Sequence, residues 1–409
     1  APPPVTSQKN AQLDSPIGTV GQAAQSTAAG RETGMRLVVA SIVFLSVSHA
    51  YAGDPVFPTS AGNLKIQTVA SGLVYPWSLA FLPDGRLLVT ERPGRMRIVA
   101  MDGRLSPPIG NVPKVFAVSQ AGLMDVLLDR DFTQSHTIFV CYAEAAEGGG
   151  RVAVLRARLI EDESPRLGDA KVIFRQKGPV SRGLNIGCRM VQAPDGNLFV
   201  TLGDHFGPKE LAQKLDNHIG KIIRITADGG PPADNPFVSN ADALPEIWAY
   251  GLRNAQGLAF NPADGKLWEQ EHGPMGGDEI NIIEKGKNYG WPRVSFGVNY
   301  DGTPVGTGKA EMDGVTNPIW HWTPSIAPSG MAFYTGDLIP GWKGSLLNGA
   351  LKFELLSRLE LKGDKAVKEE RILQSLRERI RDVRQGPDGA VYLLTDNASG
   401  RILRLVPAK

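Results

Sequence analysis

The feature that most constrains the fold of this 409-residue chain is a repeated unit of strand, tight turn and strand. Four copies are joined by similar turns: Pro83-Asp84-Gly85, Pro194-Asp195-Gly196, Pro262-Ala263-Asp264-Gly265 and Pro387-Asp388-Gly389. Each turn lies between two short runs rich in Leu, Val, Ile, Phe and Tyr, a pattern typical of antiparallel strands. Two looser copies, within residues 122–155 and 330–356, bring the number of units to six.

A single unit of this kind is a small sheet that cannot bury both of its faces. Copies arranged around an axis bury one another, which is the architecture of a β-propeller. We therefore predict an all-β fold, a six-bladed β-propeller of four-stranded antiparallel blades, over residues 53–409. A strand at residues 64–69 is expected to join the last blade and close the ring. Loops at residues 207–217 and 299–318 are long enough to shape a site on one face.

The amino-terminal part differs in composition from the repeats. Residues 1–34 are rich in Ala, Ser, Thr, Gln and Pro, and we expect a disordered segment that is upstream of the native start or appended to it. Met35-Arg36, an apolar run and Ala50-Tyr51-Ala52 follow, the pattern of a secretory signal peptide over residues 35–52. The apolar run is too short for a confident membrane span. These features predict a periplasmic or secreted protein with no integral membrane segment in its mature part.

Charge and cysteine content exclude some classes of partner and covalent framework. The formal net charge is +2, which gives no reason to expect nucleic acid or an anionic membrane as a partner. The two cysteines, Cys141 and Cys188, are too few for a disulfide framework and fall on separate predicted strands. Two buried thiols are therefore expected rather than a bridge.

Several enzyme motifs are missing from the sequence. It has no glycine-rich dinucleotide fingerprint between a strand and a helix, no phosphate loop, no His-Glu-x-x-His and no Gly-x-Ser-x-Gly. The six histidines do not form a zinc pattern. Two of them, His205 and His218, lie in loops that could reach a site, although a single loop histidine is more often structural.

Polar and charged residues recur where the predicted strands begin near the central channel. They are Gln120, Arg253, Asn254, Lys352, Arg379 and Arg381. If they converge, they form a cluster suited to a ligand with several carboxylates or phosphates; the alternative is that each is a solvated surface charge or a local structural pair. The loop at residues 272–279 adds glycine and proline, which can expose the carbonyl oxygens that calcium prefers. A plain tight turn is the alternative for that loop.

Five stretches together resemble the glucose/sorbosone dehydrogenase family, which includes soluble quinoprotein glucose dehydrogenases and aldose sugar dehydrogenases. They are residues 77–91, 187–204, 251–260, 271–292 and 327–333, and the similarity extends from about residue 64 to the end. The resemblance implies a six-bladed propeller that binds pyrroloquinoline quinone (PQQ) and calcium. It also implies oxidation of aldose sugars at the anomeric carbon to lactones, with electrons passing to an unidentified acceptor.

The resemblance also implies roles for individual residues. Gln120 matches a glutamine near the quinone, and Arg253 and Asn254 match a pair that contacts the quinone oxygens. Gly273 and Pro274 match the positions whose carbonyls hold calcium. The remaining matches are residues that bind the cofactor, through its carboxylates or by a hydroxyl group: Lys352, Arg379, Arg381 and Ser325.

One position departs from the family pattern. Asn185 stands where the family has a catalytic histidine, and an amide can orient a sugar hydroxyl but cannot remove its proton. His205 and His321 are candidates to replace the missing base. The sequence therefore leaves three hypotheses: a PQQ- and calcium-dependent sugar dehydrogenase, which Asn185 could impair, a propeller that binds quinone or sugar without turnover, and a calcium-dependent lactonase.

Overall fold

A computed structural model describes residues 55–408 of the chain. The interpretations of residues 1–34 as a disordered segment and of residues 35–52 as a signal peptide lie outside the described residues. Within them the chain is built almost entirely of strands, as the repeats predict.

The strands are β1 (Val56–Thr59), β2 (Gly62–Leu73), β3 (Pro76–Phe81), β4 (Leu87–Glu91), β5 (Arg95–Val99), β6 (Leu123–Leu128), β7 (Thr137–Ala146), β8 (Gly149–Ile160), β9 (Arg166–Arg175), β10 (Gly187–Gln192), β11 (Leu198–Leu202), β12 (Lys221–Ile225), β13 (Ile247–Tyr250), β14 (Ala255–Phe260), β15 (Leu267–Glu271), β16 (Asp278–Ile283), β17 (Trp320–Trp322), β18 (Pro328–Phe333), β19 (Leu346–Ala350), β20 (Leu355–Lys362), β21 (Lys365–Ile372), β22 (Ile380–Gln385), β23 (Val391–Thr395) and β24 (Gly400–Pro407). The helical segments are α1 (Phe132–Ser135) and three 3₁₀ turns, Lys209–Gln213, Pro340–Trp342 and Gln374–Leu376. No helix in this part of the chain has the length and apolar character needed to cross a bilayer.

The strands form six antiparallel sheets, and this confirms the six-bladed propeller. In chain order the sheets begin with β3, β6, β10, β14, β18 and β22, and the first strand of each contacts the first strand of the next. The ring closes because β22 contacts β3 and because β2 pairs with β24. The predicted strand at residues 64–69 therefore lies in the last blade, where it was expected.

The first and last blades differ from the four-stranded pattern of the other four. The last blade has five strands, in the order β1-β2-β24-β23-β22, because the amino-terminal β1 and β2 are added to its outer edge. The first blade has three strands. Ser106 and Ile109 donate backbone hydrogen bonds to Ile98 and Met96 of β5, so the segment after β5 runs beside it without forming a regular strand. Pro107 and Pro108 lack the backbone N–H groups that a regular ladder needs.

The hydrophobic core is divided into six main clusters, one at each interface between neighbouring blades. Trp268 and Leu346, for example, belong to the cluster between the fourth and fifth blades, and Leu79 and Leu394 to the cluster between the first and sixth. Each blade therefore buries both faces against its neighbours, which is why an isolated repeat would not be stable. The strand ends are left free to carry polar residues.

Cys141 and Cys188 form a disulfide bond, so the expectation of two free thiols is wrong. Cys141 lies on β7 of the second blade and Cys188 on β10 of the third, and their Cα atoms are 5.7 Å apart. Forty-seven residues separate them in sequence, but packing of adjacent blades brings their strands side by side. The bond therefore links two blades covalently within their shared core.

Candidate active site

Each blade contributes the same pair of backbone positions to one end of the ring. In five blades the residue after the second strand donates a hydrogen bond from its N–H to the carbonyl of the residue before the first strand; in the second blade the donor, Ala143, lies within the longer β7. The six pairs are Arg92 to Tyr75, Ala143 to Gly122, Gly203 to Ile186, His272 to Asn254, Leu351 to Ala327 and Asp396 to Arg379, at 2.8–3.2 Å. Because the first strands are innermost, side chains at and beside these pairs surround the mouth of the central channel.

A central pocket of about 200 Å³ lies at this mouth. Every blade contributes to its wall, which is lined by Arg92, Gln120, Met124, Ile186, Gln256, His272, Ala327, Leu351, Arg379, Arg381 and Asp396. Three of the six polar and charged residues predicted to converge, Gln120 of the second blade and Arg379 and Arg381 of the sixth, are therefore brought together here. The other three, Arg253, Asn254 and Lys352, do not line this pocket.

The charge of the central pocket is strongly positive. Asp396 is its one carboxylate, with Oδ2 lying 3.1 Å from Nη2 of Arg381 and 3.4 Å from Nη2 of Arg379. Burial alone would raise the pKa of Asp396, but the guanidinium groups of Arg381, Arg92 and Arg379 outweigh burial and lower it. Three guanidinium groups thus face one ionised carboxylate, and the buried Nε of Arg381 has no hydrogen-bond partner among the described residues. An anionic ligand would supply the missing acceptors.

His272 lies on the opposite side of the central pocket and is held in its neutral form. Its Nε2 donates to the Pro328 carbonyl at 2.6 Å, and its Nδ1 lies 3.4 Å from Nδ2 of Asn254. Burial lowers the pKa of His272 to about 3. Since one ring nitrogen carries the proton and the other faces an amide donor, His272 can position its neighbours but has no free lone pair for taking a proton.

The loop after β15 turns sharply immediately beyond His272. Gly273 donates its N–H to Oδ1 of Asp278 at 2.8 Å, and Gly276 donates to Oγ of Ser325 at 3.0 Å. A side chain at Gly273 would begin 2.2 Å from the Gly277 carbonyl oxygen, so only glycine fits there. In the described residues no hydrogen bond ends on the carbonyl oxygen of Gly273 or Pro274. Two carbonyl oxygens of this kind suit a hard cation such as calcium.

Arg253 connects this loop to the rest of the site. Its Nη1 donates to the His272 carbonyl at 3.0 Å, and its guanidinium lies 5.3 Å from the centre of the Trp291 ring. The backbone N–H groups of Arg253 and Asn254 both donate to Oε2 of Glu271. Burial raises the pKa of Glu271 to about 7. Hydrogen bonds therefore hold both the backbone and the guanidinium of Arg253. The guanidinium lies beside residues 273–277, which we call the metal-type loop.

Asn185 is the centre of a short chain of hydrogen bonds. Its backbone N–H donates to Oε1 of Gln120 at 2.9 Å, and its Nδ2 donates to Oδ1 of Asp204 at 2.8 Å. Oδ2 of Asp204 accepts from Nε1 of Trp291 at 2.8 Å. Asn185 has a left-handed backbone, with φ of 47°, which asparagine tolerates better than most residues. Asn185 thus presents an amide that is directly hydrogen-bonded to a carboxylate.

Neither candidate replacement histidine lies in the central pocket. His205 is buried, with Nδ1 2.9 Å from the Pro179 carbonyl, and burial lowers its pKa to about 4. His321 is exposed on β17, the outer strand of the fourth blade, and stacks on Phe296. His218, the other loop histidine, is buried against Phe174. None of these three rings is placed to take a proton in the central pocket.

A second cavity of about 140 Å³ adjoins Arg253 and Asp204, and we call it the rim cavity. It is lined by Asp204, Phe206, Gly207, Lys209, Arg253, Pro274, Trp291, Asn299 and Tyr300. Both long loops predicted from the sequence contribute to it. The rim cavity therefore places exposed loop residues beside the carboxylate that bonds Asn185.

Five sequence-predicted residues lie outside the linings of both cavities: Asn185 and Gly273, described above, and Lys352, Ser325 and Asn254. Lys352 is exposed, next to Leu351, and its ammonium lies 5.7 Å from the Phe353 ring. Ser325 is buried and braces the loop through Gly276. Asn254 is fully buried behind His272, where its Oδ1 accepts a hydrogen bond from Nε2 of Gln256 at 3.1 Å. In this structure Ser325 and Asn254 support other site residues.

The sequence analysis missed four residues of the site: Arg92, Asp204, His272 and Asp396. Three of them, Arg92, His272 and Asp396, occupy the position directly after the second strand of a blade, and Asp204 is one residue further on. That position can be read from the repeats, since it follows the apolar run after each turn. The predicted arginines of the fourth and sixth blades lie instead at the start of the first strand.

Comparison with known proteins gives a consistent result. The family model for Glucose / Sorbosone dehydrogenase matches residues 73–404. The aldose sugar dehydrogenase YliI of Escherichia coli is 42% identical over 347 residues, which cover 84% of this chain and 93% of the relative.

Solved structures agree with this match. The soluble aldose sugar dehydrogenase of E. coli, in its apo form, is 42% identical, with a TM-score of 0.82 over 84% of this chain and all of that chain. A PQQ-bound aldose sugar dehydrogenase from Streptomyces coelicolor is 31% identical, with a TM-score of 0.71 over 84% of this chain and 98% of that chain. The chain belongs to the glucose/sorbosone dehydrogenase family.

Proposed function

We propose that this protein is a dehydrogenase that binds PQQ and calcium and oxidises aldose sugars at the anomeric carbon to lactones. The observation that carries the proposal is the central pocket, where three guanidinium groups face one carboxylate. PQQ carries three carboxylates, so its charge complements this arrangement. Further support comes from the relatives, of which one is named an aldose sugar dehydrogenase and another was solved with PQQ bound.

The residues present fit both groups. Arg92, Arg379 and Arg381 would hold the carboxylates of PQQ, and the unpartnered Nε of Arg381 is one donor that it would satisfy. Gln120 and Arg253 would contact its other polar edges. The carbonyl oxygens of Gly273 and Pro274 would contribute two of the ligands of calcium, and the remaining ligands would come from the cofactor and water.

When bound, PQQ supplies a two-electron acceptor, and calcium polarises it as a Lewis acid. The chain itself binds and orients. Hydrogen bonds to the His272 carbonyl and to Glu271 hold Arg253 in place, so its guanidinium would stabilise developing negative charge without reorganising. The bulky Trp291 covers the same edge and limits the entry of water.

We propose that Asp204 is the general base that accepts the proton of the anomeric hydroxyl. Its carboxylate is the one anionic side chain lining the rim cavity, and it is hydrogen-bonded to the amide of Asn185. In this scheme Asn185 orients the hydroxyl and Asp204 receives its proton. The Asp204 carboxylate also accepts hydrogen bonds from Trp291 and the Phe206 N–H. Because a carboxylate is in general a weaker base than an imidazole, turnover is expected to be slow.

Reconstitution tests the proposal directly. The protein would be mixed with PQQ and calcium, the quinone absorbance would be recorded, and aldoses would then be added with a dye acceptor. Bound quinone that glucose or another aldose reduces supports the dehydrogenase. No bound quinone at all contradicts it, and omission of calcium tests whether the metal is required.

A propeller that binds the quinone without turnover is the second candidate, because Asn185 replaces the expected base. It predicts quinone binding with no reduction by any sugar in the same experiment. A calcium-dependent lactonase is less well supported. It needs several metal-binding side chains, and residues 55–408 contain no group of three or more His, Cys, Asp or Glu side chains arranged to hold a metal.

We also propose that the protein is periplasmic or secreted. The disulfide between Cys141 and Cys188 supports this, since such bonds persist in oxidising compartments. It agrees with the signal-peptide pattern of residues 35–52. Fractionation of expressing cells, with immunodetection of the processed chain, would test the location.

A further inference from the structure

Two large aromatic side chains lie exposed at the opening of the rim cavity. Phe206 is 48% exposed and Tyr300 is 62% exposed. Their ring centres are 5.9 Å apart, with an angle of 36° between the ring planes. Single exposed apolar residues are common, but an adjacent pair beside a cleft is typical of a binding surface. We call the pair Phe206 and Tyr300 the aromatic platform.

Both residues of the platform contact residues of the proposed active site. The backbone N–H of Phe206 donates to Oδ1 of Asp204 at 2.8 Å, and the hydroxyl of Tyr300 lies 3.5 Å from Nη2 of Arg253. The backbone at His205 and Phe206 is left-handed, with φ of 59° and 65°. Two consecutive non-glycine residues rarely adopt this conformation, so the chain accepts strain in the segment that presents Phe206.

The loop that carries Tyr300 is also ordered by its own contacts. Asn299 donates its N–H to the Thr303 carbonyl, and its Nδ2 donates to the Pro304 carbonyl, both at 2.9 Å. Val298 pairs with Met275 of the loop after β15. Tyr300 is therefore presented by an ordered loop that pairs with the metal-type loop.

Polar side chains also line the rim cavity, beside the apolar Trp291 and Pro274. Asp204, Lys209, Arg253 and Asn299 line it together with the two rings. A flat apolar surface beside carboxylate, amide and cationic groups matches a pyranose ring, which has an apolar C–H face and a rim of hydroxyl groups. A purely apolar ligand would leave these polar groups unpaired, which is unfavourable.

We propose that the aromatic platform is a binding subsite for the second pyranose unit of an oligosaccharide. The reducing-end aldose of that oligosaccharide would lie at Asp204 and Arg253. This assignment rests on the proposed function, because the proposed reaction requires the aldose end to be innermost. The next sugar unit then extends outward, and the platform is the surface it meets. The preferred substrates would be reducing disaccharides and longer chains rather than monosaccharides.

The kinetic test compares glucose with maltose in the reconstituted enzyme. The double variant Phe206→Leu with Tyr300→Leu keeps apolar bulk but removes the flat faces. We expect the ratio of kcat/KM for maltose to that for glucose to fall about tenfold, mainly through KM for maltose. Tyr300→Phe keeps the ring and should retain most of the ratio, and Met101→Ala, at an exposed apolar residue away from both cavities, should retain all of it.

A binding measurement separates the platform from the activity. Saturation-transfer NMR of maltose with the protein should show the non-reducing ring in contact, and the double variant should lose that signal. If no sugar is oxidised but this signal is present and lost in the variant, the platform stands and the proposed function fails. If aldoses are oxidised but the ratio and the signal are unchanged in the variant, the platform fails. A rise in KM for the dye acceptor alone would assign the rings to the acceptor and also overturn the proposal.

Discussion

The two sides of the site are both built from residues at the ends of blade strands but carry opposite charge. The cationic side, Arg92, Arg379 and Arg381, is balanced within the chain by a single carboxylate, Asp396. The acidic side, Asp204, Glu271 and Asp278, is balanced mainly by neutral donors: backbone N–H groups, the Asn185 amide and the Trp291 indole. Burial raises the pKa of Glu271 to about 7 and that of Asp278 to about 6.

This difference indicates how one propeller can bind an anionic ligand and a cation at the same channel mouth. On one side the guanidinium groups outnumber the carboxylates, so an anionic ligand would bind there favourably. On the other side the neutral donors hold the carboxylates in place without using cationic side chains, so the carbonyl oxygens of the neighbouring loop stay available. The first side is thus suited to holding a cofactor, and the second to a cation and the reacting sugar. A substitution on one side should therefore affect the partner of that side more than the partner of the other.

The largest effect is expected from Arg381→Met on the cationic side. Arg381 is buried, and its loss leaves Asp396 less well paired and removes a donor for the cofactor. We expect PQQ affinity to fall by about 2–5 kcal/mol, the usual result of truncating one partner of a buried charge pair. Titration of the protein with PQQ, followed by quinone absorbance, measures this. Arg104→Met removes an exposed arginine and is the control; an equal loss there would show that overall charge alone decides affinity.

The next effect concerns the disulfide between the second and third blades. Replacing both Cys141 and Cys188 by alanine should lower the free energy of unfolding by about 2–4 kcal/mol, because the unfolded chain gains freedom and the buried contact between blades is lost. Urea unfolding of the wild type, with and without reductant, and of the double variant measures it. PQQ affinity should change less than in Arg381→Met. A larger change in affinity than in stability would mean that the bond positions the cationic side as well.

A smaller effect is a pH dependence from His205, which lies between Asp204 and Phe206. Burial lowers its pKa from 6.5 to about 4, against the opposing influence of the Pro179 carbonyl and the Asp204 carboxylate. Between these pH values the unfolded chain binds more protons, so the contribution is fully present above about pH 6.5 and is lost as pH falls towards 4. The loss is on the order of 2–3 kcal/mol.

His205→Asn should remove this part of the acid sensitivity, and asparagine suits the left-handed backbone there. Urea unfolding at a series of pH values between 7 and 4 measures it. His136→Asn is a matched control, since His136 is exposed and also left-handed, with φ of 52°. An unchanged slope in His205→Asn would assign the acid sensitivity to other groups.

The sequence predicts the ring of blades and part of the cationic side because both depend on local patterns. The turns and apolar runs recur within each unit, and Arg379 and Arg381 stand at the start of a first strand. The disulfide and the contact between Asp204 and Trp291, 87 residues apart, depend on which blades are neighbours, and no local pattern encodes that. β21 ends at Ile372 and a 3₁₀ turn follows, in a stretch where the sequence shows no clear strand pattern. As an outer strand, β21 buries few side chains, so its apolar alternation is weak.

The last prediction concerns rate on the acidic side. Asn185→His should raise kcat at least about tenfold, because one ring nitrogen can replace Nδ2 in the bond to Asp204 while the other takes the sugar proton. Histidine tolerates the left-handed backbone at this position. Steady-state kinetics against pH measures it, and Asn185→Gln is the control that keeps an amide. Combining Asn185→His with Asp204→Asn should lose most of the gain, since the ring is then no longer oriented by a carboxylate. An unchanged rate with normal PQQ affinity would mean that proton removal by Asp204 is not what limits turnover, and the two sides would then differ in binding but not in control of the rate.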